Sequence, residues 1–298
     1  MTFKAAEYER YSGPRTTLPS WMPLAELALE RGWKSKWVRR ITTMSLMQGL
    51  GLMILMYALN QVVPAWRDLT QQVGTLAGQG ADDFVIDARI YLQFLRLFVY
   101  PVLLPLSLLF GYDLISKDIE TNALDAYFSR PISPLSYIVG RSLAFIGFLM
   151  AATFLPMLLV WVADWATSND DHFELISGVP FGMFWGLLLI STTLALLVQA
   201  ITTITKSGMW TNISFVFIFI VMHMLSKILY AITEEPAVQA LSVLHNTWVV
   251  CAVALDRIPT NPHMPPAPVS AAVGVMVITA IASFIIVHNG LRRRTFLG

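Results

Sequence analysis

Charged residues are scarce in this sequence, and their scarcity excludes an ordinary water-soluble domain. Asp, Glu, Lys and Arg make up 13% of the 298 residues, whereas a soluble domain carries about 25%. Apolar residues make up 56% of the chain and occur in runs of about 20, the length with which a helix crosses the hydrocarbon core of a bilayer. The short alternating segments of a membrane barrel are missing. The composition predicts an all-α, polytopic membrane protein.

Several motifs with known chemistry are also missing. Cys251 is the one cysteine, which excludes an intrachain disulfide and a cysteine-based metal cage. Lys206 and Ser207 lack the preceding glycines of a phosphate-binding loop. The first forty residues contain no apolar core of a signal peptide, so we expect the first span to direct insertion. No arrangement of nucleophile, base and acid is visible. We therefore expect no catalysis by this chain. We also expect no nucleic-acid partner.

Six long apolar runs are present, and they predict six membrane spans. We divide the chain into an N-terminal segment, residues 1–40, and a transmembrane domain, residues 41–298. Pro101, Pro105 and Pro156 are expected to kink the second and third spans, with neighbouring helices satisfying the freed carbonyls. The predicted spans are Ile41–Val63, Ile90–Leu114, Leu135–Val162, Val179–Ile204, Trp210–Ile232 and Ser270–His288.

The distribution of Lys and Arg predicts the orientation. Fifteen of the 20 lie in segments on the side of the two termini, eight of them in the first forty residues, and four lie on the opposite side. Positive residues concentrate on the cytoplasmic side of membrane proteins. Both termini are therefore expected in the cytoplasm, and the acidic loops on the other side, which include Asp164 and Glu174, are expected to be solvated.

The segment Pro236–Leu255 leaves an alternative open. It is apolar and nearly long enough to span, but Gln239, His245 and Asn246 lie near its middle. We favour a re-entrant or interfacial segment on the outer side, at about residues 236–258, over a seventh span. The following stretch, Pro259–Pro268, is rich in proline and is expected to be an irregular loop.

The N-terminal segment predicts an interfacial helix. Ser20 can cap it, Pro23 suits its first turn, and Gly32 is expected to end it. Trp33 and Trp37 follow one turn apart among basic residues, a pattern typical of an anchor at headgroup depth. A simple topology signal is the alternative interpretation.

The loop after the second span contains a second amphipathic pattern, at about residues 115–129. Ile115, Ile119, Ala123 and Tyr127 recur every four residues and predict one apolar stripe on a helix. We expect the polar side to face the cytoplasm and to be available to a partner protein, although a passive surface helix would have the same pattern. The candidate partner-binding residues are Ser116, Lys117, Asp118, Glu120, Thr121, Asn122, Asp125 and Arg130.

This loop resembles that of type-2 permease subunits of ATP-binding-cassette (ABC) transporters. The similarity lies in Ile115-Ser116, in the acids Asp118 and Glu120, in Ser129–Ser133 and in Tyr137–Arg141. Two departures are visible: Asn122-Ala123-Leu124 stands where the family has Gly-Thr-Leu, and Arg141 stands where it has lysine. Both departures keep the helical and charge character of the motif.

The resemblance implies a coupling helix that docks on a separate cytoplasmic ABC ATPase. ATP and Mg would then be bound by that partner, with no cofactor on this chain. A second permease copy, or a related permease, would complete an exporter in a prokaryotic inner membrane. The alternative from a different class is a membrane scaffold that recruits a cytoplasmic protein through the same helix and transports nothing. The sequence does not predict the substrate.

Two further features lie within the predicted spans. Arg96 lies inside the second span, and we expect it to extend to the outer interface rather than to face a transport path or pair with Asp87. Met222-His223-Met224 resembles a soft metal site. Successive helical residues point about 100° apart, which follows from 3.6 residues per turn and favours ordinary packing.

Overall fold

The structure is a computed structural model that describes residues 19–62, 88–128, 132–167, 173–174, 176–255 and 266–295. All regular secondary structure in these ranges is helical. The α-helices are α1 (Trp21–Lys34), α2 (Lys36–Val62), α3 (Ala88–Phe98), α4 (Leu104–Glu120), α5 (Ala123–Phe128), α6 (Pro134–Thr167), α7 (Val179–Thr205), α8 (Gly208–Thr233), α9 (Val243–Ala254) and α10 (Val269–Thr295). A π-helical segment, Val99–Leu103, joins α3 to α4, and a 3₁₀ segment, Pro236–Leu241, precedes α9.

Six helices are long and apolar enough to cross a membrane, as the sequence predicts. They are Lys36–Val62, Ile90–Glu120, Pro134–Thr167, Val179–Thr205, Gly208–Thr233 and Val269–Arg292. Several extend beyond the apolar runs because charged residues continue the helix at its ends. The first span, for example, begins at Lys36 rather than Ile41, and the second continues to Glu120 rather than Leu114.

One end of the six-span bundle can be identified from contacts that join the start of α6 and the ends of α7 and α10. Ser142, near the start of α6, shares a hydrogen bond of about 3.1 Å with Gln199, near the end of α7. Gly290, near the end of α10, packs against Thr203. We call this the basic end, because α1 and the starts of α2 and α6 lie there with their Lys and Arg residues. The other end is the opposite end.

The core lies around α7, whereas α2 and α8 are peripheral. Leu187, Ile190 and Leu194 of α7 are fully buried. On α8, by contrast, Phe217 and Ile220 expose more than half of their surface. Since lipid tails are as apolar as these side chains, an apolar exterior is expected where spans face the bilayer.

A neighbouring helix satisfies the carbonyl freed by Pro156, as the sequence predicts, whereas the predicted kinks remain a prediction. Pro101 lies within the π-helical segment, where the helical hydrogen-bond pattern is already interrupted. Pro156 lies inside α6 and cannot donate to the carbonyl of Ala152, four residues earlier. The hydroxyl of Ser45 on α2 donates to that carbonyl instead. Gly49 then allows α2 to lie directly against Pro156, since a Cβ on Gly49 would come within 2.5 Å of the proline ring.

The segment Pro236–Leu255 enters the bundle and returns toward the opposite end. Ser242 caps α9 and also bonds His223 of α8 at 3.0 Å. His223 lies ten residues before the end of α8, about 15 Å deeper at the helical rise. Ala254, at the end of α9, packs on Gly182 in the first turn of α7. A helix of 12 residues covers about 18 Å, which is too short to span a core of about 30 Å.

Two local predictions for the N-terminal helix are wrong. Helix α1 continues through Gly32 to Lys34, and Ser20 stands at its N-cap without a side-chain hydrogen bond. Gly32 does not end the helix. Its missing side chain instead allows α1 to pack closely on α4, since a Cβ at this position would lie 1.9 Å from the ring of Phe110. The interfacial position of α1 remains a prediction.

Candidate functional site

The predicted helix at residues 115–129 is two helices separated by a turn. Helix α4 ends at Glu120, and α5 begins at Ala123. Between them, Thr121 donates to the carbonyl of Lys117 through its amide and its hydroxyl, and Asn122 adopts a left-handed φ of 52°. Asparagine tolerates this conformation better than most residues. The prediction of one continuous helix is therefore wrong: its first part is the end of the second span.

The turn exposes part of the predicted partner-binding surface. We call residues 117–123 the α4–α5 corner. Lys117, Glu120, Thr121 and Asn122 are exposed there. Ser116 and Asp118, which the helical pattern predicts on the same open surface, are buried at 1% and 0% exposure. The side chain of Asp125 and the whole of Arg130 lie outside the described residues. Their predicted roles remain predictions.

Asp118 is buried because two other helices supply its partners. Arg31 of α1 donates to one carboxylate oxygen at 2.6 Å. Arg141 and Tyr137 of α6 donate to the other at 2.5 Å and 2.7 Å. We call these four residues the Asp118 cluster. It joins α1, α4 and α6 through one carboxylate.

The charges of the Asp118 cluster are not evenly balanced, because two guanidinium groups share one carboxylate. Arg141 is fully buried, and its Nε and Nη1 atoms have no hydrogen-bond partner among the residues that the structure describes. Its guanidinium carbon lies 5.5 Å from the ring centre of Tyr137, within the range of a cation–π contact. Partial burial acts to lower the pKa of Arg31, but the hydrogen bond and charge of Asp118 outweigh burial and raise that pKa.

A close backbone contact and a group of aromatic rings hold α1 against the same helices. A Cβ on Gly140 of α6 would lie 2.5 Å from the carbonyl oxygen of Trp21. Phe110 of α4 stacks on Phe148 of α6, with ring centres 4.7 Å apart, and Trp33 of α1 meets Phe148 edge-on at 6.2 Å. Helix α1 is therefore packed on the bundle as well as linked through Arg31.

Sequence reasoning missed Arg31, Tyr137 and Arg141 as site residues. A signal for two of them was present. Arg141 falls inside the apolar run predicted as the third span, where an ionisable residue requires a partner. Tyr137 lies four residues earlier, on the same face of that helix. Arg31 carries no such signal, since nothing in its neighbourhood distinguishes it from the other cations of the N-terminal segment.

The opposite end contains a second buried carboxylate. Asp164 was expected in a solvated loop, but α6 continues to Thr167, and Asp164 is fully buried in it. Asn60 of α2 donates to it at 2.9 Å, and Tyr91 of α3 donates at 2.7 Å. We call these three residues the Asp164 network. The expectation of solvated charge at this position is therefore wrong.

Arg96 has contacts of its own near the opposite end. It is exposed, lies 3.3 Å from the amide oxygen of Gln93 and stands over the ring of Trp248 in α9 at 5.8 Å. Asp87, the predicted alternative partner, lies outside the described residues. In the part of the chain that the structure describes, no group of three or more His, Cys, Asp and Glu residues is placed to hold a metal.

Comparison of the sequence with protein-family models and with curated proteins finds no match.

Proposed function

We propose that this chain is the permease subunit of an ABC exporter, with the α4–α5 corner as the surface that docks on a separate ATPase. The resemblance of the loop motif motivates the proposal, and the six-span bundle is compatible with it. The observation that carries it is the position of the corner. The exposed Glu120 lies two residues from Asp118, whose partners belong to two other helices.

This position would let a docked protein act on the spans. Helix α4, the π-helical segment and α3 form one continuous span from Ile90 to Glu120. A force on the corner would therefore act directly on that span. The Asp118 cluster would pass it to α1 and α6, because separating these helices would leave Arg141 buried without its counter-charge, at a cost of about 3–5 kcal/mol.

The energy would come from the partner. ATP and Mg would bind to the ATPase subunit, and a second permease copy or a related permease would complete the transporter. The basic end would face the cytoplasm of a prokaryotic cell, in line with the excess of Lys and Arg on that side. The cargo is outside the proposal.

A membrane scaffold that recruits a cytoplasmic protein without transport is the second candidate. The same exposed corner supports it. The two candidates differ in what ATP does to the spans: a permease must change the arrangement of its opposite end when ATP binds to the partner, whereas a scaffold keeps it.

The docking surface can be tested with Glu120→Arg and a matched control, Glu235→Arg, which places the same change on an exposed acid at the opposite end. We expect the first variant to reduce the amount of co-purified ATPase at least tenfold and the second to leave it unchanged. Thermal unfolding of both should match the parent chain. Asp118→Arg is unsuitable, since Asp118 is buried and its loss would disturb the fold.

Undiminished co-purification with Glu120→Arg would rule out the corner as the docking surface. For the second candidate, distances between labels at the opposite end would be measured in the intact complex with and without ATP. An unchanged distance distribution would favour the scaffold.

A further inference from the structure

The start of α2 carries an open basic notch. Lys36, Arg39, Arg40, Thr43 and Met44 line a cavity of about 580 Å³. These residues follow the spacing of one face of a helix, with three cations in the first two turns and an apolar residue below them. We call this surface the α2 notch.

Within the described part of the chain, the cations of the α2 notch differ from their neighbours in having no acidic partner. In the preceding helix, Lys34 pairs with Glu30 at 2.7 Å and Arg31 pairs with Asp118 at 2.6 Å. Among the described residues, no carboxylate lies within ion-pair distance of Lys36, Arg39 or Arg40. The first turn of α2 contains no acid, so its helix dipole adds to the positive charge.

Below the cations, the surface changes to one that suits hydrocarbon. Met44 and Met47 are 68% and 64% exposed. They continue down α2 about 6 and 10 Å from Arg40, at 1.5 Å per residue. Trp33 and Trp37 are also exposed, and Arg40 stands 5.2 Å above the ring of Trp37. Exposed tryptophan beside cations is typical of the headgroup level of a membrane.

We propose that the α2 notch binds the phosphate of an anionic phospholipid, with an acyl chain lying along Met44 and Met47. The headgroup supplies the negative charge that the notch lacks, and the chain covers the apolar surface beneath it. Clusters of Lys and Arg at the membrane end of a span favour anionic lipids in this way. The site is separate from the α4–α5 corner and does not depend on the proposed function.

Two other occupants fit less well. A second copy of the chain, packed symmetrically on this face, would bring the same three cations toward each other, because a two-fold interface pairs a surface with itself. Inorganic phosphate would satisfy the cations but would leave the methionines exposed. The notch therefore fits a molecule with both a phosphate and a hydrocarbon chain.

The test is native mass spectrometry of the full chain in detergent, with equal amounts of phosphatidylglycerol and phosphatidylcholine. Three double variants are compared. Arg39→Gln with Arg40→Gln removes two charges from the notch, and Lys206→Gln with Arg292→Gln removes two exposed charges elsewhere at the basic end. Arg39→Lys with Arg40→Lys keeps the charge of the notch.

We expect the parent chain to bind phosphatidylglycerol at least tenfold more than phosphatidylcholine. The glutamine pair in the notch should lose most of this preference, whereas the lysine pair and the distant pair should keep it. Excess inorganic phosphate, matched in ionic strength with chloride, should not displace the lipid. The proposal is overturned if the two lipids bind equally, if the notch variant keeps its preference, or if phosphate alone competes.

Discussion

Helix α6 is linked to its neighbours at both ends through a buried aspartate, and the side chains seen to donate to each aspartate within the described residues differ. At the basic end, Asp118 accepts hydrogen bonds from two guanidinium groups and a phenol, and it joins α6 to α1 and α4. At the opposite end, Asp164 accepts from an amide and a phenol, and it joins α6 to α2 and α3. An ion-paired cluster thus lies at the end where we propose that a partner docks.

The two links have a joint consequence for the second span. Arg141 and Asp164 are separated along α6 by about 35 Å, at 1.5 Å per residue. Because α3, the π-helical segment and α4 form one span, the second and third spans are joined at both ends. Sliding one span past the other would disrupt both sites together. The π-helical segment, which contains Pro101, lies between the two links, and sharp kinks in long helices occur at prolines and π-bulges.

The largest expected effect comes from removing the carboxylate at the basic end. Asp118→Ala leaves Arg141 buried without a counter-charge, which should lower the free energy of unfolding by about 3–5 kcal/mol. Arg31 contributes less to this loss, because its side chain is 32% exposed and can turn to solvent. Unfolding in mixtures of mild detergent and dodecyl sulfate measures the change.

The matched control for this prediction removes both charges. Asp118→Leu with Arg141→Met should recover most of the lost stability, since a buried ion pair is often replaced by apolar residues at little cost. A loss below about 1 kcal/mol for Asp118→Ala would contradict the idea that the pair links the helices.

An intermediate effect is expected from one substitution made at each end. Tyr137→Phe and Tyr91→Phe each remove a fully buried phenol that donates to a carboxylate at 2.7 Å. A hydrogen bond to a charged group contributes about 2 kcal/mol, so each variant should lose about that much in the same unfolding assay. Similar losses would show that the two phenols contribute equally to their links. A loss at only one end would show that the other aspartate does not depend on its phenol.

The smallest effect is expected from loosening α1 at the basic end. Gly140→Ala places a Cβ against the carbonyl oxygen of Trp21, and such overpacking should cost about 1–2 kcal/mol. Hydrogen exchange in α1 should rise while exchange in α7 stays unchanged. Gly147→Ala on the same helix is the control, because among the described residues its Cβ would meet no atom within 4 Å apart from the adjoining backbone of α6. Unchanged exchange in α1 would mean that its packing does not depend on this contact.

The six spans could be predicted from the sequence because each depends on a local property, a long apolar run. Two effects of proline were also predictable: the interruption of the α-helix at Pro101, and the need for a neighbouring group to donate a hydrogen bond to the carbonyl of Ala152. Both follow from the missing amide proton of proline. The ends of the spans were predicted too short. Lys36, Glu120 and Asp164 continue their helices, but their charge marks the limit of an apolar run rather than the limit of a helix.

The burial of Asp118 could not be predicted from periodicity. A helical pattern assigns polar residues to the open side, but the side that is covered depends on which helices lie nearby. Its partners Arg31 and Arg141 lie 87 and 23 residues away in the chain. The exposed position of Glu120, by contrast, agrees with the polar side that the pattern predicts.

The docking of α1 also sets an order of assembly. Helix α1 rests on Phe110, Asp118 and Gly140, which are synthesised after it. At about 5–20 residues per second, roughly 5–20 s pass between the synthesis of α1 and that of the last of these residues. During that interval the surface of α1 that packs on α6, which includes Leu24, does not yet have this contact. Helix α1 therefore completes its packing only after the start of the third span has been made, although it is synthesised before that span.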